Sequence, residues 1–267
     1  MIDFKRILYP VDLSAQSRAV APSVAAMAKR FGSEVVLLHV ASSSAPDSAF
    51  DNFAAAEFSG TPVLRELLDG DPASQIASYA DRQKVDLIMM PTHGRGPFRA
   101  LLLGSVTAKV LHDTRVPVWT GIHAEEMTAH SPARWNRILC AVDTDEHGET
   151  VLKWASEFAR QQNLDVQLVH AVAGADGMWI EERDPSMYGF LFHAARERLA
   201  KVQAGAGTNI EIRVVGGSVG NAVHQAALDY GADLVVIGRG SAQAALGRLK
   251  NNAYSIIRSA PCPVLSV

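Results

Sequence analysis

The sequence predicts an α/β protein built from two tandem, doubly wound domains, each with a five-stranded, mostly parallel sheet. Short apolar runs alternate with segments of helical periodicity along the 267 residues, and this alternation is typical of parallel β-α units. The pattern also repeats, since ILYPVD at residues 7–12 returns as ILCAVD at residues 138–143. His39 in LLHV returns as His170 in LVHA at the same spacing. Two copies of one domain explain this repeat better than coincidence does.

In the first copy, apolar runs and the residues that bound them define each element. The strand at 6–11 is closed by Asp12, and the next helix begins at Ser14 and ends at Gly32, a common helix stop. The remaining predicted elements, in order, are strand 34–40, a short helix around 49–58, strand 61–68, a helix opened by the turn at 70–72 and ending near Gln83, strand 87–90, helix 106–112 and strand 116–120.

The domain boundaries follow from the repeat. We expect an N-terminal domain at residues 1–123, a linker at 124–134 and a C-terminal domain at 135–267. The linker segment is polar and lacks periodicity, as a connection between domains should. The second copy is longer between its second and third strands, where residues 174–207 form an additional segment.

The additional segment contains a predicted helix that starts at Ser186 and has apolar residues at helical spacing. We expect one face of this helix to cover the sheet, formed by Phe190, Leu191, Ala194, Ala195, Leu199 and Val202. The piece before it, with Met178 and Trp179, has no such periodicity. This piece is a candidate for capping a pocket or meeting a partner.

Composition and charge exclude several classes of protein. A hydrophobic content of 48% with 20% charged residues suits a globular protein with a substantial core. The net charge of −3 and the lack of a lysine or arginine cluster argue against nucleic-acid binding. No apolar run is long enough to cross a membrane and no secretory leader is present, so we expect a cytoplasmic protein. Cys140 and Cys262 lie in apolar runs, which predicts buried free thiols and no metal site.

The segment after the fourth strand has the features of an anion site. Strand 87–90 stops at Pro91, two glycines follow, and Gly104-Ser105 precedes a helix. N–H groups at a helix start lack helical partners, and the helix dipole favours negative charge there. Because ligands bind beyond the carboxyl ends of strands in such sheets, Asp12 and this loop can face one crevice. The alternative is a glycine loop that only reverses the chain.

These features resemble the universal stress protein family over nearly the whole chain, as two tandem copies. The resemblance is carried by a strand ending in VD before a helix, by DLIMMPTHGRG, and by GSV at the start of the last helix. Nucleotide-binding members share a glycine, two residues, a glycine, nine residues, and then glycine with Ser or Thr. Gly94, Gly104 and Ser105 match this motif, whereas Pro91 stands at the first glycine position. Proline has no N–H to offer a phosphate.

The resemblance implies an adenine nucleotide alpha hydrolase-like, Rossmann-like fold. It also implies ATP as the cofactor, with or without Mg²⁺, in the N-terminal domain only. Asp12 and Val40 would line the adenine and ribose end of the crevice. The phosphates would be held by backbone N–H groups and one hydroxyl, from Gly94, Gly104, Ser105 and Val106. Glycine suits this role because a Cβ would hold the backbone away from the phosphate oxygens.

Several of these residues also have structural interpretations. Asp12 can be the N-cap of the helix that begins near Ser14. His93 and Arg95 are either solvated loop residues or groups that compensate the phosphate charge. His39 and its counterpart in the second copy lie in apolar strands, and we expect them to be hydrogen-bonded core histidines.

The second copy departs further from the nucleotide motif. Gly238 stands where the first glycine belongs, Ser241 replaces the second, and Asn251 with Asn252 replaces the final Gly-Ser pair. We therefore expect the phosphate site to be lost and this domain to serve the architecture. Basic residues in and around the loop leave room for another anion, namely Arg239, Arg248 and Lys250.

These observations predict a non-catalytic, regulatory stress protein that binds an adenine nucleotide and acts through an unidentified protein partner. One alternative is a ligand-free dimerisation or scaffold protein, which Pro91 favours, and another is a slow ATP-hydrolysing enzyme. No spacing suggests a nucleophile, base and orienting acid, so no catalytic residues are predicted. By the resemblance, the fifth strands at 116–120 and 263–267 would join the copies as an intramolecular pseudo-dimer with pseudo-twofold symmetry. Association of two chains into a homodimer stays open.

Overall fold

The computed structural model describes residues 1–41, 48–93, 103–121, 135–172, 187–239 and 251–267. Two compact units divide the chain, one made largely of Asp3–Arg134 and the other of Trp135–Leu265. Within the described residues, each unit contains five strands and four helices. The predicted linker at 124–134 lies outside the described residues.

The N-terminal unit is a doubly wound parallel sheet, as predicted. Its elements are β1 (Arg6–Val11), α1 (Ala15–Phe31), β2 (Glu34–Val40), α2 (Ser48–Asp51), β3 (Val63–Leu68), α3 (Pro72–Arg82), β4 (Leu87–Pro91), α4 (Ser105–Asp113) and β5 (Val118–Gly121). The strand order is β3-β2-β1-β4-β5, and neighbouring strands run parallel. The order reverses between β1 and β4. Sheets of this kind bind ligands at that reversal, beyond the carboxyl ends of the strands.

Local sequence explains the central strands and the first helix. β1 and β4 are buried almost throughout, as continuous apolar runs predict for central parallel strands. The Ser14 hydroxyl caps α1 by accepting a hydrogen bond from the N–H of Ser17 at 3.2 Å. The helix ends at Gly32, which adopts the left-handed conformation with φ of 64°. Both predicted ends of this helix are therefore confirmed.

Replacing Ser14 with alanine should lower the free energy of unfolding by about 1 kcal/mol, because α1 would lose its N-cap. Urea denaturation followed by circular dichroism measures the change. The matched control is Ser78→Ala, which removes a hydroxyl from an exposed position inside α3. This control should change stability by less than about 0.5 kcal/mol. Equal losses in the two variants would mean that the cap does not stabilise α1.

Three elements of the first copy differ from the prediction by two residues or more at one boundary, and one of them is β3, which begins at Val63 rather than at residue 61. Helix α2 ends at Asp51 and the chain continues in turns as far as Gly60, whereas the sequence predicts a helix to residue 58. Strand β5 begins at Val118, after Pro117, rather than at residue 116. Proline has no N–H to donate to a strand ladder, so the later start has a physical reason.

The C-terminal unit repeats the same architecture. Its elements are β6 (Arg137–Ala141), α5 (Glu146–Gln162), β7 (Asp165–Val172), α6 (Met187–Ala206), β8 (Ile212–Gly216), α7 (Val219–Tyr230), β9 (Leu234–Ile237), α8 (Asn251–Ser259) and β10 (Val264–Ser266). The strand order is β10-β9-β6-β7-β8, and the β6/β7, β6/β9 and β7/β8 pairs are parallel. The reversal of strand order now lies between β6 and β9.

The inward face of α6 differs from the prediction in its first turns. The buried residues are Phe192, Ala195, Leu199 and Val202, whereas Phe190 is 71% exposed and Leu191 37% exposed. The prediction is therefore wrong for these two residues and correct from Ala195 onward. Both Leu191 and Phe192 lie at helical spacing from Leu199, and the sequence alone does not decide which of the two faces the sheet. Packing against the neighbouring strands selects the stripe that contains Phe192.

The structure also tests the prediction that both cysteines are buried free thiols. Cys140 and Cys262 are free and buried, which confirms the predicted thiols. Burial raises the pKa of each thiol to about 12, so both stay protonated and unreactive at neutral pH.

Among the helices of the described residues, none has both the length and the apolar character that crossing a membrane requires.

Candidate functional site

Asp12 lies directly after β1, at the carboxyl end of the strand, and its carboxylate orders the start of α1. Its Oδ1 accepts hydrogen bonds from the Ser17 hydroxyl at 2.6 Å and from the Ser14 N–H at 3.0 Å. The N-cap itself is Ser14, so the interpretation of Asp12 as the N-cap is wrong. The carboxylate is nevertheless held in a fixed position at this edge of the sheet.

Helix α4 begins at the carboxyl end of β4 without a side-chain cap. Gly104 is its N-cap residue, and the Gly104 N–H donates to the Thr92 carbonyl oxygen at 2.8 Å. The N–H groups of Ser105 and Val106 have no partner within the helix, as at any helix start. Together with the helix dipole, these donors favour an anion.

A side chain at Gly104 would crowd the residues that follow β4. A Cβ built there would lie 3.2 Å from the His93 Cα and 3.3 Å from the Thr92 carbonyl oxygen. Both are backbone atoms, so the loop would have to shift. Glycine thus allows α4 to start in contact with the end of β4. His93 is half-buried, with Nδ1 3.1 Å from the Thr92 hydroxyl oxygen, and is not a fully solvated loop residue.

Pro91, which departs from the nucleotide motif, is the last residue of β4 and lies opposite Gly121 of β5. Its carbonyl oxygen accepts a hydrogen bond from the Thr107 hydroxyl at 3.1 Å. This bond ties the first turn of α4 to the end of the strand. Pro91 therefore helps to position α4, although it supplies no N–H donor to a ligand.

The reversal of strand order brings Asp12 and Gly104 to the same edge of the sheet. β1 and β4 are direct neighbours, with Ile7 opposite Leu87, and both strands run toward this edge. Val40 ends β2 on the other side of β1 and is half-buried. Two other predicted site residues, Gly94 and Arg95, lie outside the described residues.

The two strand histidines are hydrogen-bonded, which confirms their prediction, although both are half-buried. The Nδ1 atom of His39 lies 2.7 Å from the Val11 carbonyl oxygen, and that of His170 lies 2.9 Å from the Val142 carbonyl oxygen. A carbonyl oxygen only accepts, so Nδ1 carries the proton in each ring. In the neutral imidazole, Nε2 then keeps a lone pair and accepts hydrogen bonds.

An aromatic segment after β2 was not expected from the sequence. The Phe50 ring lies against His39, with centroids 5.6 Å apart. The Arg65 guanidinium donates to the carbonyl oxygens of Phe50 and Phe53, each at 3.1 Å, and holds this segment on the sheet. An arginine inside a predicted strand was the available signal, because a half-buried guanidinium requires partners.

The C-terminal unit has a cavity of about 210 Å³ at the carboxyl ends of β6, β7 and β9. Its polar lining comes from Asp143, His147, His170 and Asn252, and Gly238 contributes backbone. The remaining wall is mostly aliphatic and includes Val151, Val223 and Ile256. His147 and the cavity itself were not expected from the sequence. The signal for His147 was its place in the first turn of α5, shortly after Asp143.

The two copies differ in the turn that leads into the first helix. Ser17 of the first copy corresponds to Gly148, so the hydrogen bond between Asp12 and the Ser17 hydroxyl has no counterpart in the second copy. Leu13 has a φ of 60°, whereas its described counterpart in the second copy, Thr144, does not have a positive φ. The second turn therefore follows a different path and leaves less room beside the helix.

Doubly wound parallel sheets, each with a reversal of strand order, define this chain as a two-domain, Rossmann-like α/β protein. The chain belongs to the universal stress protein family. The model of that family matches residues 3–59, 49–120 and 134–267, and these matches span both units.

Individual relatives support the same assignment. Universal stress protein MJ0531 of Methanocaldococcus jannaschii is 29% identical over 136 residues, covering 43% of this chain and 80% of the relative. A universal stress protein of Thermus aquaticus is 32% identical over 133 residues, covering 43% of this chain and 96% of the relative. Each of these relatives is thus matched by about one domain of this chain.

Two solved structures match both units of the chain. A universal stress protein from Archaeoglobus fulgidus has a TM-score of 0.68 at 21% identity, covering 100% of this chain and 97% of that protein. The functionally unknown protein PA1789 of Pseudomonas aeruginosa has a TM-score of 0.70 at 19% identity, covering 99% and 92% respectively. These likenesses show the tandem fold.

Proposed function

We propose that the chain binds an adenine nucleotide, ATP, in the crevice of the N-terminal unit and acts as a non-catalytic regulator through a protein partner. The observation that most supports this function is the uncapped start of α4. There, Gly104 allows α4 to begin against the end of β4, and the N–H groups of Ser105 and Val106 stand at the helix start, where no side chain caps the helix. A phosphate chain requires both close approach and backbone donors.

The other residues of this crevice suit the rest of the nucleotide. The Asp12 carboxylate is held at the carboxyl end of β1, where it can accept hydrogen bonds from ribose hydroxyls. Val40 supplies an apolar contact for the base at the end of β2. Any Mg²⁺ would be held mainly by the phosphates, because the described part of the chain has no group of three or more His, Cys, Asp or Glu that could hold a metal.

A ligand-free scaffold is the second candidate function, and Pro91 favours it. A proline at the first motif position removes one backbone N–H from the phosphate site. If the remaining donors do not suffice, the chain would keep the paired-domain architecture without a nucleotide.

Native mass spectrometry of the gently purified chain separates these candidates. The proposed function predicts a mass increment equal to an adenine nucleotide, either as purified or after incubation with ATP. A chain that stays unmodified in mass under both conditions would favour the scaffold. If the intact chain releases phosphate from ATP, and both Asp12→Ala and Gly104→Val abolish this release, the chain is instead an ATP-hydrolysing enzyme.

A further inference from the structure

A closed pair of hydrogen bonds links Asp12 to Ser17 in the first turn of α1. The Ser17 hydroxyl donates to the Asp12 Oδ1 at 2.6 Å, and the Asp12 N–H donates to the Ser17 Oγ at 3.3 Å. The Ser14 N–H donates to the same Oδ1 at 3.0 Å. One serine hydroxyl thus contacts both the backbone and the side chain of Asp12. These bonds restrict the rotation of the carboxylate about its side-chain bonds.

Ser17 is itself anchored in the core of the N-terminal unit. Its side chain is buried, and the buried Tyr9 hydroxyl donates a hydrogen bond to the Ser17 carbonyl oxygen. The Tyr9 ring lies in β1, with its centroid 6.4 Å from that of Phe53 and 6.2 Å from that of Phe58. The direction of the Asp12 carboxylate is therefore coupled to packed elements, as preorganisation of a binding group requires.

The C-terminal copy keeps the aspartate and lacks this support. Asp143 corresponds to Asp12, but Gly148 stands at the position of Ser17 and has no hydroxyl. The tyrosine of β1 is replaced by Cys140. Both copies form the same doubly wound sheet, so the fold itself does not require the pair of bonds. The support is present in the copy that keeps glycine and serine at the start of its last helix, which favours a role in the binding site.

A fixed carboxylate at the carboxyl end of β1 suits the sugar of a nucleotide. A carboxylate has about four lone-pair positions, so it accepts hydrogen bonds from ligand hydroxyls as well as from protein donors. The neighbouring 2′ and 3′ hydroxyls of ribose are such donors, and hydrogen bonds to an ionised acceptor are stronger than those between neutral groups. Because the Asp12 side chain is already ordered, less conformational entropy is lost when these bonds form.

We propose that Ser17 is a positioning residue that orients Asp12 and thereby makes the N-terminal site selective for ribonucleotides over 2′-deoxyribonucleotides. The inference rests on the nucleotide-binding function proposed above. Ser17 acts through Asp12 and does not contact the ligand. The selectivity arises at the sugar, so it does not depend on how many backbone donors surround the phosphates.

Calorimetric titration of the full chain with ATP and with 2′-deoxy-ATP, both with Mg²⁺, tests this proposal, because the two ligands differ by a single hydroxyl. ATP should bind to the intact chain about tenfold more tightly or better, the value of one hydrogen bond to a charged group. Ser17→Ala and Asp12→Ala should each lower this ratio of affinities to about threefold or less. In the Asp12→Ala background, adding Ser17→Ala should leave the ratio unchanged, because the two residues act as one unit.

Ser33→Ala is the matched control. The Ser33 side chain is also buried, and its hydroxyl donates to the Phe4 carbonyl oxygen near the amino ends of β1 and β2, at the opposite edge of the sheet. The control and Ser17→Ala each remove one buried serine hydroxyl with its hydrogen bond, so both should lower the thermal unfolding midpoint. Only Ser17→Ala should change the ratio of ATP to 2′-deoxy-ATP affinity.

The possible outcomes separate this inference from the function on which it rests. No ATP binding at millimolar concentration would overturn both. ATP binding with nearly equal affinity for 2′-deoxy-ATP, or an unchanged ratio in Ser17→Ala, would overturn the role of Ser17 and leave nucleotide binding in place. An equal fall of the ratio in Ser33→Ala, or a further fall when Ser17→Ala is added to Asp12→Ala, would overturn that role as well.

Discussion

Replacing Gly104 with valine should weaken ATP binding by about a hundredfold or more, equivalent to the loss of two charge-assisted hydrogen bonds. The added Cβ would lie 3.2 Å from the His93 Cα and 3.3 Å from the Thr92 carbonyl oxygen, both backbone atoms, so the junction between β4 and α4 has to give by a few tenths of an ångström. The N–H groups of Ser105 and Val106 move with it. Isothermal titration of the variant with ATP and Mg²⁺ measures the loss.

The matched control for this prediction is Ala108→Val, which places the same side chain further along α4. This control places the same β-branched side chain on α4 without adding a side chain at the junction between β4 and α4. It should bind ATP with unchanged affinity. Equal binding by the wild type and the Gly104 variant would mean that the start of α4 does not hold the phosphates.

Gly148→Ala should lower the free energy of unfolding by about 3 kcal/mol or more, at or above the upper end for overpacked sites. A Cβ at Gly148 would lie 2.1 Å from the Asp143 carbonyl oxygen and 3.6 Å from the Val142 Cβ. Neither the carbonyl nor the first turn of α5 can move freely, because the Gly148 N–H donates to the Asp145 carboxylate at 3.0 Å. Relief therefore requires a shift of the backbone between β6 and α5.

Thermal denaturation measures this effect, and the midpoint should fall by roughly 6–15 °C for a unit of this size. Thr150→Ala, an exposed position on the same helix, is the control and should change stability by less than about 0.5 kcal/mol. Ser17 shows that the first copy accepts a Cβ at the equivalent position, so the effect is specific to the second turn. A thermal unfolding midpoint within about two degrees of the wild-type value would show that the turn accommodates the Cβ without a loss of stability.

The strands and most helix ends could be predicted from sequence because each depends on a local pattern. β1 and β4 are buried apolar runs, and the stops at Gly32 and Pro91 follow from backbone chemistry at single residues. The inward face of α6 could not be predicted in the same way. Whether Leu191 or Phe192 is buried depends on how the helix packs on the rest of the unit, and that packing is not encoded in a local pattern.

In the candidate sites, too, features set by local sequence could be predicted and features set by tertiary contacts could not. Asp12 and Gly104 could be found because each directly follows or opens an element that the sequence predicts. The contact of Pro91 with Thr107 and the contact of Phe50 with His39 depend on how a strand and the helix after it pack together, which no local pattern specifies. The second-copy cavity could not be predicted, because the motif residues indicate only the loss of the phosphate site and leave room for another anion. Its volume depends on several side chains that only the fold brings together.

Comparison of ATP with adenosine by calorimetry tests the central claim, that the start of α4 in the N-terminal unit holds the phosphates of a nucleotide. The two ligands share base and ribose, so any difference in affinity reports on the phosphate contacts. With Mg²⁺ present, ATP should bind at least about tenfold more tightly than adenosine, because backbone N–H groups at a helix start favour the added charge. No heat with ATP at millimolar concentration, or equal affinities for the two ligands, would contradict the account.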